Sequence, residues 1–323
     1  MGRYLIRRTL FGVLVLFVVS LMTFWIFVKL PSTDPIIRAV GRHPNPQLVA
    51  QVRHKFGLDR SLLVQYWSFA KGLIPLPGFW LNKDVYYSYG NQIAVSEEIK
   101  ARLPYTAVLT FGAAILWVGM GVPIGIVSAI KPGSLFDRAG MLFALFGVSV
   151  PVFWLGLVLI YFFHFKLGVA PGIGIPSSEN WFTAMLAGRF VLPWIAVAVT
   201  SAAFYSRLTR TNLMETMGED YIRTARAKGM SERRVIYRHG LRSALTPLVT
   251  ILGLDIAFLL SGAVITENVF GIPGLGQYAL QGIYTADFPV VMGVTVIGAF
   301  FIVVANLIVD VAYAALDPRV RYA

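Results

Sequence analysis

Residues 9–30 read TLFGVLVLFVVSLMTFWIFVKL, an apolar stretch of 22 residues whose first charge is Lys29. The hydrocarbon core of a bilayer requires about 20 such residues in one helix. The stretch is therefore long enough to cross a membrane. It is longer than the apolar core of a cleaved signal peptide, and no small-residue cleavage site follows it. We expect it to be retained as an anchor.

Five further apolar stretches have the length of a membrane span, which predicts an all-α, polytopic membrane protein with six transmembrane helices. They cover residues 104–130, 139–165, 190–206, 245–266 and 290–313. Pro123, Pro151, Pro193 and Pro247 lie in or at the ends of these stretches and predict kinks or helix starts there. The composition agrees, because the chain is 57% hydrophobic and only 14% charged. Soluble domains carry about a quarter charged residues.

The Lys and Arg residues indicate how these spans are oriented. With the N-terminus in the cytoplasm, sixteen of them fall in inside segments, and only Lys166 and Arg189 fall in the two short outside loops. Cytoplasmic loops of membrane proteins carry such an excess. Both termini are therefore expected in the cytoplasm. The net charge of +12 would suggest nucleic acid in a soluble protein, but here the position of the charge matters more than its size. We expect the lipid bilayer, and no nucleic acid, among the partners.

Three segments follow from this topology. Residues 1–30 are the cytoplasmic start and first span, residues 31–103 a long extracytoplasmic segment, and residues 104–323 a core with five spans and a cytoplasmic loop at 207–242. Apolar residues at helical spacing predict amphipathic helices in the extracytoplasmic segment. These residues are Leu48, Val49, Val52, Phe56, Leu62, Leu63, Tyr66 and Phe69. A cap over the outer mouth and a docking site for a partner are equally compatible with them.

The cytoplasmic loop predicts two short helices joined by a glycine. Asp220 is a favourable N-cap and Gly229 a favourable residue after a helix end, which gives a helix over residues 221–228. Ser231 caps a second helix, residues 232–242. The two helices form a basic, water-exposed excursion of the membrane core.

No motif for reaction chemistry is present in the sequence. The chain has no phosphate-binding loop, no dinucleotide fingerprint and no zinc-protease or serine-hydrolase motif. Its four histidines fall in three compartments of the predicted topology, and it has no cysteine. We therefore expect no catalytic residue, no cofactor and no metal site in this chain. A transporter, channel or scaffold is favoured over an enzyme.

Asp255 is the one acid well inside a predicted span, the fifth. Intramembrane acids face a bundle interior or a water-filled cavity because lipid exposure is costly. Asp255 either lines a pathway or makes a hydrogen bond or salt bridge between helices, and the second interpretation is favoured. A single acid is thin support for a proton-coupled pump.

Residues 220–235 have the sequence DYIRTARAKGMSERRV. This resembles the cytoplasmic signature of binding-protein-dependent ABC importer permeases of the peptide and nickel class, B-type subunits of dipeptide and oligopeptide permeases. Ala225 and Gly229 match the general Glu-Ala-Ala-x-x-x-Gly pattern, whereas Arg223 and Thr224 replace its Glu and first Ala. A second segment, residues 267–276 with the sequence ENVFGIPGLG, resembles the same family.

The resemblance implies a non-catalytic subunit of a bacterial or archaeal cell (inner) membrane. Its implied partners are a sister permease, two ABC ATPase subunits that bind ATP and Mg, and an extracytoplasmic solute-binding protein. Di- or oligopeptides are the expected cargo. Nickel, glutathione or oligosaccharides are alternatives within the class, and a channel or scaffold that is not coupled to ATP is the alternative outside it.

The resemblance also implies site residues. The ATPase-coupling loop comprises Asp220, Tyr221, Arg223, Thr224, Ala225, Ala227, Lys228, Gly229, Ser231 and Glu232, and the extracytoplasmic signature loop includes Glu267, Pro273, Gly274 and Gly276. Ala225 and Gly229 lie four residues apart, so they are expected on one helix face or at its end. Their small size would let an ATPase approach the backbone there.

Overall fold

The computed structural model of the protein describes residues 2–29, 47, 50, 53–54, 59–71, 87–88, 90 and 93–316. The predictions for Leu48, Val49, Val52 and Phe56 lie outside the described residues. The described part is helical apart from its turns and loops and one isolated bridge between Tyr87 and Ala94. The all-α prediction is confirmed.

The described helices follow one another along the chain. They are α1 (Gly2–Phe24, extended by a π-helical turn, Trp25–Lys29), α2 (Leu62–Lys71), α3 (Val95–Ile130), α4 (Leu135–Ser149), α5 (Val152–Leu159, extended by a π-helical segment, Ile160–Lys166), α6 (Trp181–Leu186), α7 (Val191–Met217), α8 (Asp220–Ala227), α9 (Glu232–Arg234, extended by a π-helical segment, Val235–Gly240), α10 (Leu241–Ala244), α11 (Thr246–Leu260), α12 (Val264–Phe270), α13 (Leu275–Thr285) and α14 (Phe288–Leu316).

Four of these helices, α1, α3, α7 and α14, are long and apolar enough to cross a membrane. Two bent pairs pass the same test together. The first joins α4 to α5 and its π-helical extension, and the second joins the helical run 232–244 to α11. The count reaches six if each bent pair crosses once. The prediction of a polytopic membrane protein is confirmed.

The third predicted span, residues 139–165, is two helices rather than one. The axes before and after the break differ by 100°. Pro151 occupies the N-cap position of α5 and has no amide hydrogen to continue α4. Val150, directly before it, is extended, as expected for a residue that precedes proline. The kink predicted at Pro151 is therefore a break.

Three other span boundaries differ from the predictions. Helix α3 begins at Val95 instead of residue 104, with Glu97 and Glu98 in its first turn, where acids stabilise the positive end of the helix dipole. Helix α7 continues past residue 206 to Met217. Helix α11 ends before Gly262, whose φ of +129° no longer fits a helix.

The described chain forms two compact units. The first comprises Met1–Thr106, Ala257–Glu267 and Pro273–Leu307. Within it, α2 packs on α1 through the rings of Phe69 and Phe24, whose centroids lie 5.7 Å apart. Tyr66 also hydrogen-bonds to Ser20, with 3.0 Å between the oxygens. The amphipathic helix predicted around Tyr66 and Phe69 is confirmed.

The second unit comprises Ala107–Ile256, Asn268–Ile272 and Ile308–Ala323. Its centre is α7, which packs on α3 without intervening side chains. A Cβ atom at Gly121 would lie 2.7 Å from the carbonyl oxygen of Ala202, and one at Gly125 would lie 2.5 Å from that of Ser206. Two glycines four residues apart thus bring the α3 and α7 backbones into contact, a packing typical of membrane helices.

Candidate functional sites

The Gly229 hairpin consists of α8, Gly229 and the helical run from Glu232 to Gly240. Gly229 follows the end of α8 with a φ of +74°, as predicted for a glycine that terminates a helix. Glu219, and not Asp220, occupies the N-cap position of α8, so the predicted cap is wrong by one residue. Ser231 does occupy the N-cap position of α9, but its side chain makes no capping hydrogen bond.

A small apolar core holds the two arms of the Gly229 hairpin together. Ile222, Ala225 and Val235 are buried, and Met217 and Met230 pack against them. Ala225 therefore lies inside the hairpin, and the expectation that it faces a partner alongside Gly229 is wrong. Ile222 and Ala225 are three residues apart and share the face of α8 that meets the second arm. The small side chain of Ala225 fits this internal contact.

The outer surface of the hairpin is exposed and polar. Its exposed members are Asp220, Tyr221, Arg223, Thr224, Arg226, Ala227, Lys228, Gly229, Ser231, Glu232, Arg233, Arg234, Tyr237 and Arg238. Arg226 pairs with Glu232 across the turn, with 2.9 Å between Nη2 and Oε1. A Cβ atom at Gly229 would have no heavy atom within 4 Å among the described residues, apart from its two neighbours in the sequence. The turn at Gly229 is thus an open point on the surface, flanked by charged side chains.

The second arm of the hairpin is anchored to α7. A Cβ atom at Gly240 would lie 2.8 Å from the sulfur of Met217 and 3.4 Å from a methyl group of Leu213. The amide of Asn212 donates a hydrogen bond to the carbonyl oxygen of Ala244, at 3.4 Å. The hairpin base is therefore in close contact with the side chains of α7 and leaves no room for a larger residue at position 240.

An ion pair that the sequence did not reveal joins α7 to α4. Arg210 donates to both carboxylate oxygens of Asp137, with Nε–Oδ1 and Nη2–Oδ2 distances of 2.7 and 3.0 Å. The backbone N–H of Gly133 donates to Oδ2 as well, at 2.8 Å. Asp137 is almost fully buried, and these three donors satisfy its charge.

Asp255 lies on α11, half-buried, and accepts a hydrogen bond from the hydroxyl of Tyr205 on α7, with 2.7 Å between the oxygens. Tyr205 is only 2% exposed and packs against Trp117 of α3, with ring centroids 6.1 Å apart. The helix-to-helix hydrogen bond favoured for Asp255 is therefore present. Tyr205, its donor, was not anticipated from the sequence.

In the first unit, Glu267 caps the start of α13. Its side chain is completely buried. Oε2 accepts a hydrogen bond from the backbone N–H of Gln277, and Oε1 accepts one from the hydroxyl of Thr106, both at 2.8 Å. The Thr106 hydroxyl in turn accepts the N–H of Leu275 at 2.9 Å. Two N–H groups that a helix start leaves without intrahelical partners are thus satisfied. Burial raises the pKa of the Glu267 carboxyl.

Two glycines near Glu267 leave no room for a side chain, because neighbouring atoms lie very close to them. A Cβ atom at Gly274 would overlap the carboxyl group of Glu267. One at Gly276 would lie 2.6 Å from the backbone nitrogen of Val264. Pro273, directly before this contact, is half-buried. The ENVFGIPGLG segment therefore supplies both a capping carboxylate and the two glycines that make room for the cap.

Comparison with known proteins places this arrangement in a family. Residues 121–322 match the family described as binding-protein-dependent transport system inner membrane component, and residues 1–110 match the N-terminal domain that accompanies it. The chain belongs to this family. It is the permease subunit of a binding-protein-dependent ABC importer and a multi-pass membrane protein.

Relatives of this permease align over its whole length. It is 36% identical to the oligopeptide transport system permease protein AppB of Bacillus subtilis (strain 168), over 100% of both chains. It is also 36% identical to the glutathione transport system permease protein GsiC of Salmonella typhi, again over 100% of both chains. The family resemblance of residues 220–235 and 267–276 is confirmed.

Solved structures share the fold of the permease. An inward-facing form of the MetNI methionine ABC transporter matches with a TM-score of 0.54 at 20% identity, covering 68% of this chain and 97% of that one. An amino acid ABC transporter solved with histidines matches with a TM-score of 0.52 at 18% identity, covering 68% of this chain and 94% of that one.

No group of three metal-ligating side chains occurs among the residues described for the permease.

Proposed function

We propose that this permease subunit forms, with a sister permease, the path by which di- or oligopeptides enter the cell. An extracytoplasmic binding protein delivers the peptide. Two ATPase subunits on the cytoplasmic side bind ATP and Mg and drive the cycle. The cargo assignment is supported by the relatives, one named for oligopeptide and one for glutathione transport. Glutathione is itself a short peptide, so the two names share one chemical class.

The observation that carries the mechanism is the Gly229 hairpin, exposed on its outer surface and packed on α7 at its base. The chain has no phosphate-binding loop, so the energy of ATP must reach it through contact with a partner. A compact hairpin with its own apolar core can transmit such a push without deforming. Because α7 carries Tyr205 and Arg210, a shift of the hairpin moves a helix that bonds to both α4 and α11.

Reconstitution tests this function. We expect the importer assembled with both permeases, both ATPase subunits and the binding protein to take up a tripeptide in an ATP-dependent way. The isolated permease subunit should bind no ATP. Uptake should stop when the binding protein is omitted. Peptide accumulation driven by an imposed proton gradient without ATP, or saturable ATP binding to this subunit alone, would contradict the proposal.

The orientation that this mechanism requires places the Gly229 hairpin inside the cell and residues 172–180 outside. Two exposed serines make a matched pair of probes, because Ser→Cys is nearly isosteric and the chain has no native cysteine. We expect Ser177→Cys to react with an impermeant thiol reagent in intact cells, and Ser231→Cys to react only after permeabilisation. Labelling of Ser231→Cys in intact cells would reverse the assigned topology.

A further inference from the structure

Asp255 is a carboxylate whose hydrogen-bonding capacity is only partly used. An ionised carboxylate can accept about four hydrogen bonds. Among the described residues, Asp255 accepts one side-chain hydrogen bond, from Tyr205, and forms no ion pair. Asp255 is half-buried on α11, and its other carboxylate oxygen, Oδ1, has no side-chain hydrogen bond among the described residues.

Asp137 shows what a purely structural acid looks like in the same unit. Arg210 neutralises its charge with two hydrogen bonds, and the N–H of Gly133 adds a third. Asp137 is almost fully buried, whereas Asp255 is not. A carboxylate that served only to join two helices would be expected to resemble Asp137. Asp255 instead has no basic side chain paired with it in the described part of the chain.

The carboxylate of Asp255 is held in a fixed position. Its donor Tyr205 is buried between Trp117 and the α3 backbone, and a Cβ atom at Gly121 would lie 2.9 Å from the Cβ of Tyr205. The ring of Tyr205 therefore has little room to move. A binding group that is oriented before its ligand arrives loses less entropy when the ligand binds.

Asp255 lies next to an exposed residue of α11. Leu254, the adjacent residue on α11, is 40% exposed, so this face of the helix borders whatever surrounds the unit. An acid in contact with hydrocarbon is strongly unfavourable, whereas one that faces a water-filled cavity or a cation is tolerated. The face that carries Asp255 thus suits an aqueous path along which a cationic group passes.

We propose that Asp255, oriented by Tyr205, binds the terminal ammonium group of the peptide as it moves through the importer. This inference rests on the proposed peptide cargo. An ammonium group carries three donors and forms a charge-assisted hydrogen bond with a carboxylate. Every peptide with a free amino terminus offers this group whatever its side chains are. One fixed carboxylate can therefore serve a cargo class whose side chains vary.

Direct binding to the complete importer in nanodiscs, without binding protein, tests the contact. The probes are a labelled tripeptide with a free amino terminus and its N-acetylated form, so the selectivity of the binding protein does not enter. We expect the wild type to prefer the free form by about tenfold, as for a charge-assisted hydrogen bond in a partly hydrated site. Asp255→Asn should remove the preference and leave affinity for the acetylated form unchanged.

Tyr205→Phe is the matched control, because it removes the orienting hydroxyl and keeps the charge. It should weaken the preference by about threefold, in line with loss of one neutral hydrogen bond. An unchanged preference in Asp255→Asn would overturn the contact. Loss of assembly in Asp255→Asn alone would overturn it too, since the carboxylate would then join subunits. If the wild-type importer takes up no peptide, the proposed cargo fails and the contact fails with it.

Discussion

Replacing Gly229 with aspartate should leave the permease in the membrane and abolish ATP-driven uptake. Gly229 has a φ of +74°, so any Cβ strains the turn by about 1–2 kcal/mol. In the described part of the chain, no residue other than its sequence neighbours lies within 4 Å of that Cβ, so this part of the subunit can accommodate it. A partner that binds at this open turn cannot accommodate the new side chain, because the added carboxylate would occupy the surface that the partner contacts. Uptake and binding-protein-stimulated ATP hydrolysis in the reconstituted importer are the measurements.

Gly168 provides the matched control. It is also exposed, has a φ of +63°, and has no atom within 4 Å of an added Cβ. By the proposed topology it lies on the opposite side of the membrane. Gly168→Asp therefore introduces the same strain and charge and should transport normally. Equal loss in both variants would mean that backbone strain is responsible, and normal stimulated hydrolysis in Gly229→Asp would mean that the hairpin is an ordinary turn.

The conformation of Gly229 could be predicted because its cause is local. A glycine after a helical run and before a serine leaves few alternatives to a left-handed helix end. The burial of Ala225 could not be predicted in the same way. It depends on Val235, ten positions further along the chain, and on the π-helical path of the second arm. An alanine at helical spacing from a glycine is equally compatible with an outer and an inner face.

The membrane spans likewise have features that the local sequence predicts and features that it does not. Apolar length is a property of the local sequence, and it located each described helix or bent pair that is long and apolar enough to cross the bilayer. Whether a given proline breaks a helix could not be predicted from the local sequence. Pro151 breaks the helix by 100°, whereas Pro104 and Pro123 lie inside the continuous helix α3. Whether a proline breaks a membrane helix depends on which neighbours satisfy the freed backbone groups, and those neighbours come from distant segments.

The capping contact of Glu267 was beyond local reasoning for a similar reason. Thr106 and Glu267 are separated by 161 positions, and no pattern in either segment refers to the other. The sequence did contain one usable sign, an acid followed by a Pro-Gly-Leu-Gly run at the start of a helix. That sign indicates a carboxylate near unsatisfied N–H groups. It does not reveal that the carboxylate would be completely buried.

Gly274→Val should destabilise the permease by about 3–5 kcal/mol, because overpacking costs about 1–3 kcal/mol and each buried polar group left without a partner adds about 1–3 kcal/mol. The Cβ of any residue at 274 would overlap the carboxyl group of Glu267. Glu267 would have to withdraw from the N–H of Gln277 and from Thr106, and the start of α13 would lose its cap. The loss should appear as a large fall in the melting temperature of the detergent-solubilised subunit, before any transport is measured.

Gly119→Val is the control for this substitution, since nothing lies within 4 Å of a Cβ at position 119. It should change the stability by less than about 1 kcal/mol, because Val is a slightly better helix former than Gly and the added side chain meets no neighbour. Glu267→Gln should fall between the two at about 1–3 kcal/mol, because its amide oxygen can replace one acceptor and its NH₂ group cannot replace the other. A melting temperature of Gly274→Val equal to that of Gly119→Val would show that the cap contributes no stability. The glycines of the ENVFGIPGLG segment would then need another explanation.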